Sequence, residues 1–97
     1  LGKAENAVKK TIITVTGKDQ VGIIGKVCTR LADRNINILD ISQTVVDHYF
    51  NMLIIADRTD TTEDFLTIAN ELSDLGKELG LVITCQRDEI FEKMHRI

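Results

Sequence analysis

The sequence predicts an α+β protein on the ferredoxin-like plan: a βαββαβ chain with two helices on one face of a four-stranded antiparallel sheet, plus a short C-terminal helix. Three observations lead there. Two apolar stripes fall at helical spacing, four runs rich in β-branched residues flank them, and the 97 residues contain neither proline nor a low-complexity linker. Right-handed crossovers send both helices to the same side of the sheet.

"KTIITVT" (10–16) is β-branched and forms the first strand, ending near Gly17. After a glycine turn, Ile23, Ile24, Val27, Cys28, Leu31 and Ala32 paint one stripe on a helix, which Asn35 stops because Asn tolerates the left-handed cap conformation. "INILDISQTVV" then alternates, with Leu39, Ile41, Gln43 and Val45 on one face and Asp40, Ser42 and Thr44 on the other. Asp47 and His48 reverse the chain into "YFNMLIIAD", a strand with Phe50, Met52 and Ile54 on one face and Leu53 and Ile55 on the other. Apolar on both faces, this third strand is expected to be buried on both. Thr61 or Thr62 caps a second helix with the stripe Phe65, Ile68, Ala69, Leu72, Leu75 and Leu79; Gly76 weakens its middle and Gly80 ends it. "LVITCQ" (81–86) is the fourth strand, and Asp88 opens a terminal helix with Ile90, Phe91, Met94 and Ile97 on one side. Either that helix or a second chain must cover the sheet's other face. A homo-oligomer, with a dimer favoured, is the expected state.

Twelve basic residues against fifteen acidic, scattered along the chain for a net charge of −3, leave no footprint for nucleic acid or an anionic membrane. No apolar run approaches the roughly 20 residues that span a bilayer, and no secretory stretch opens the chain, so a cytoplasmic protein is expected. The start at Leu1 reads residues 1–9 as an N-terminal extension, incomplete or added, before a single domain over 10–97. Cys28 and Cys85 form no CxxC and read as small core residues, while His48 and His95 stand alone. Neither a metal nor a cofactor is expected.

The turn "GKDQVGIIGKV" (17–27) is the one candidate site. Gly17 and Gly22 have the glycine spacing of a phosphate-binding P-loop, but Ile23 and Ile24 stand where Lys and Ser/Thr are needed, and Gln20 breaks a dinucleotide fingerprint. An acylphosphatase would need an arginine at the helix entrance, which here reads Ile23, Ile24, Gly25 and Lys26. An RNA-reading sheet would need aromatics that three Phe and one Tyr do not supply. What remains is a helix start whose unpaired N–H groups suit a carboxylate, with Asp19 beside it to meet an ammonium. That pattern suits an amino acid or a similar small zwitterion. A helix N-terminus contributes roughly 0.3–1 kcal/mol, whereas micromolar affinity needs about 8 kcal/mol. A second wall is therefore required, and Asn37, Asp40 and Gln43 are the nearest polar supply.

"DQVGIIGKVCTRLADRNINILDISQ" (19–43) resembles the core of the ACT domain, the βαββαβ module that binds amino acids in regulatory parts of metabolic enzymes. The matching positions are Asp19, Gly22, Leu31, Ala32, Asn37, Ile38 and Gln43, with Val21 where the family commonly has proline. The resemblance implies ligand contacts from Asp19, Asn37 and Gln43, and an expected ligand-binding set of Asp19, Gln20, Val21, Gly22, Ile23, Asn37, Ile38 and Gln43. "DISQTVVDHYFNMLIIAD" further resembles short stand-alone ACT proteins of bacteria and archaea. More distantly, the chain is similar to half of the glycine cleavage system transcriptional repressor. The expected function is amino acid sensing, not catalysis, exerted through a homo-oligomer or a partner; the rival is a purely structural oligomerisation module.

Overall fold

The element order is β1 (Lys10–Lys18), α1 (Ile23–Asp33), β2 (Asn37–Val46), β3 (Tyr49–Asp57), α2 (Phe65–Leu79) and β4 (Val82–Arg87), in a computed structural model that describes residues 9–18 and 22–87. The sheet runs β2-β3-β1-β4, and every neighbouring pair is antiparallel. This is the ferredoxin-like order, with α1 toward β2 and α2 against β4. The expected terminal helix from Asp88, with His95, lies outside the described residues, as do residues 1–8.

Alternation builds the core. Ile13 and Val15 of β1, Phe50, Met52, Ile54 and Ala56 of β3 and Ile83 of β4 face the helices, which return Ile23, Val27 and Leu31 from α1 and Ile68, Leu72 and Leu75 from α2. Each such side chain stabilises the fold by about 1.5–3 kcal/mol when fully buried. The α1 stripe is narrower than the sequence suggests, since Ile24 and Ala32 are exposed and Cys28 is half-buried. Cys85 packs against the core, and burial pushes its thiol up to about 11, which makes it an inert small hydrophobe.

Asn35 does turn left-handed after α1, at φ 60°, and Asp47 and His48 are both left-handed, at φ 52° and 72°. Two such residues make the hairpin turn whose twist matches that of its strands.

Two expectations need correction, and two gain detail. The alternation along β2 is interrupted: Ile38 pairs with Ala56 and Asp40 with Ile55, leaving Leu39 as an extra residue in a bulge. Ile38, rather than Leu39, therefore shares a face with Ile41, Gln43 and Val45. The second helix is capped by Asp64, not by Thr61 or Thr62; its carboxylate accepts from the Thr67 N–H at 2.8 Å. Gly76 marks close packing, because a Cβ there would stand 2.9 Å from the Leu81 carbonyl oxygen. Finally, the second face of β3 is only partly shielded, with Leu53 39% exposed. Around it lie uncharged neighbours on the same face, among them Thr14 and Thr84, whose hydroxyls hydrogen-bond to each other.

Candidate functional site: the entrance of α1 and the edge strand

Gly22 precedes α1 at φ 88°, ψ −2°. A β-carbon is disfavoured there by about 1–2 kcal/mol, yet among the described residues nothing lies within 4 Å of where one would stand. Glycine is thus required by the backbone angle and not by crowding. Its carbonyl accepts from the Lys26 N–H at 3.1 Å, which closes the first helical turn; Gly22 has no side chain with which to cap the helix's first amides, so they point outward.

Beside it runs a groove of about 630 Å³ between the helices, floored by Leu75 and Leu79 and lined by Gly22, Gly25, Lys26 and Arg30. Lys26 is the residue the sequence reading missed. Its place one helical turn beyond Gly22 was the available signal, since residues four apart share a helix face.

The remaining expected contacts are dispersed. Asp19, Gln20 and Val21 lie outside the described residues. Ile23 is 3% exposed and belongs to the core, and Ile38 is half-buried against it, so only their backbone groups could meet a ligand. Asn37 pairs with Asp57, which pairs with Lys10, whereas β1 leaves the sheet at Lys18 beside Tyr49. The entrance of α1 and Asn37 therefore stand at opposite ends of an 11-residue helix, about 17 Å long at 1.5 Å per residue. Asn37 lines a separate hollow of about 320 Å³ with Asn35, Ile36 and Asp60.

Gln43 pairs with Met52, three rungs from the hairpin, on the helix side of the sheet. Among the described residues no strand flanks β2 on its outer side. All of β2 is exposed except half-buried Ile38, including Leu39 at 49%, Ile41 at 38% and Val45 at 52%. Among the described residues no group of three or more His, Cys, Asp or Glu could hold a metal, and no described helix is long and apolar enough to cross a membrane.

Fold and helix entrance together define a small ferredoxin-like domain with β2 at the edge of its described sheet. The family model of the ACT domain matches residues 11–76. A UPF0237 protein of Bifidobacterium longum is 54% identical over 90 residues, which cover 93% of this chain and 100% of that protein. Among solved structures, an ACT domain protein from Streptococcus pneumoniae superposes with a TM-score of 0.78 at 43% identity, covering 87% of this chain and 94% of that one. A structure described as a glycine cleavage system transcriptional repressor shares the fold, with a TM-score of 0.72 at 21% identity over 82% of this chain and 46% of that one. The chain belongs to the ACT domain family, whose members typically bind amino acids in regulatory roles.

Proposed function

We propose that this protein senses an amino acid, or a similar small zwitterion, at a boundary between two copies of the chain, and that it is regulatory rather than catalytic. The carboxylate sits on the outward amides of Ile23 and Ile24, with Lys26 as its nearest cation. Asp19 meets the ammonium, flanked by Gln20 and Val21. Asn37 and Gln43 of a second copy complete the cradle, with the backbone of its Ile38.

The observation that carries this reading is the exposure of β2 as an edge strand, combined with the distance between Gly22 and Asn37. One chain cannot bring both to a single small molecule. Two copies can, because a twofold axis beside β2 pairs the two edges antiparallel and lays the Asn37 end of one strand beside the Val46 end of the other. The exposed Ile41 and Val45 then pack across the axis. Binding would shift this association by the roughly 1–3 kcal/mol typical of coupled sites.

Thermal shift against the twenty amino acids tests the proposal. A rise in melting temperature with one of them, abolished in both Asp19→Ala and Gln43→Ala, is expected. No response to any amino acid, together with an intact dimer, would instead establish the structural module, a reading that the apolar exposure along β2 also favours.

A further inference from the structure

Gly25, the third residue of α1, is a glycine without a local reason. Its backbone is ordinary helix, since only Gly22 and Gly80 among the described glycines have a positive φ. Among the described residues nothing lies within 4 Å of where its Cβ would stand. Neither backbone angle nor crowding calls for glycine there, and alanine would favour the helix. What glycine does provide is room. Gly25 lines the groove between α1 and α2, so a side chain at this position would fill part of it.

The groove opens beside Gly22 and follows α1 past Lys26 and Thr29 to Arg30, a run of about 12 Å at 1.5 Å per residue. Arg30 crosses it there, its Nη1 donating to Glu71 Oε2 on α2 at 3.3 Å. The floor is aliphatic, with Leu75 5% exposed and Leu79 half-buried against the core. The rim carries two charges of each sign, Lys26 and Arg30 against Asp33 and Glu78. That balance leaves no net field to select a charged guest, whereas the floor offers apolar surface to an uncharged one.

We propose, building on the sensing reading above, that the recognised amino acid carries a large aliphatic side chain, of the size of leucine or methionine, which lies over Leu75 and Leu79 in the space that Gly25 leaves. Its carboxylate stays at the α1 entrance, where the groove opens, and the side chain runs back beside the first turns of the helix. In a groove of about 630 Å³, glycine or alanine would leave the floor in water and gain nothing from it.

Calorimetric titration with each of the twenty amino acids tests the assignment. Leucine or methionine should bind at least about tenfold more tightly than alanine or glycine. Gly25→Leu, which fills the groove while favouring the helix, should erase that margin without lowering the melting temperature. Leu79→Ser should narrow the same margin from the opposite wall. Asp19→Ala, by contrast, should weaken every amino acid alike. Equal affinity for leucine and alanine, a preference for lysine or glutamate, or a leucine margin that survives Gly25→Leu would overturn the aliphatic assignment, while Asp19-dependent binding in the same titrations would uphold the sensing reading. No binding by any of the twenty would overturn both.

Discussion

A methyl group at Gly76 would meet the Leu81 carbonyl oxygen at 2.9 Å and Ile83 Cγ1 at 3.1 Å, so α2 touches β4 there through backbone. Two effects oppose each other in Gly76→Ala. Helix propensity favours alanine by about 1 kcal/mol, while overpacking against a contact that cannot swing aside costs about 1–3 kcal/mol. The clash should win, lowering the melting temperature by a few degrees at roughly 4–8 °C per kcal/mol for a domain of this size. A raised melting temperature would show that propensity governs the site. From sequence alone Gly76 reads as a weak point in a helix, because its partner is the chain segment beyond the next turn and leaves no trace in the periodicity. Gly22 was legible for the opposite reason: a glycine just before an apolar stripe already implies an unusual backbone angle.

Among the elements, α1 is tied to α2 by Glu71, which accepts from Arg34 Nε at 2.8 Å and Nη2 at 2.7 Å, and from Arg30 Nη1 at 3.3 Å. The hydrogen bond from Arg34, its largest influence, holds the Glu71 carboxyl below its ordinary 4.5 despite partial burial. Asp57 and Asp64 are likewise held below their ordinary 3.8 by hydrogen bonds from Thr59 and Thr67. Each folded-state value is depressed, so each contribution is complete above the ordinary value and disappears as pH falls through the folded one. Stability should therefore decline as pH drops below about 4.5, and Glu71→Gln should flatten that decline in denaturant melts taken across the acid range. An unchanged pH slope in the variant would mean that the bridge is too well solvated to contribute. Helix α1 and the Asp47–His48 hairpin were readable because local chemistry sets both. The bulge at Leu39 depends on pairing with β3, and the choice of Asp64 over two adjacent threonines depends on where Phe65 packs. Neither dependence is written into a local pattern.

Taken as a whole, the molecule leaves several apolar side chains uncovered along the β2 edge, where Ile41 and Val45 are 38% and 52% exposed. Replacing either by lysine removes little buried surface from one copy, so folding should be nearly unaffected. If β2 is the meeting edge, Ile41→Lys and Val45→Lys should move sedimentation from dimer to monomer and abolish the amino acid response together. Dimers that survive both changes would point to the open sheet face around Leu53 instead. Of the expected contacts, Gly22 at the helix entrance was legible from its place before an apolar stripe, whereas the distances between contacts were not. Only the strand register shows that Gly22 and Asn37 stand too far apart to share a ligand within one chain.

The extra residue at Leu39 bears on how far association can run. A long, flat, unprotected strand is a template for fibrils, and a kink at one end spoils that template. On β2 the straight run is Asp40–Val46, sufficient for one neighbour in one register. If two copies pair there as proposed, each uses the same run of the other, so growth would saturate at a closed pair and a potential aggregation hazard would become a self-limiting contact.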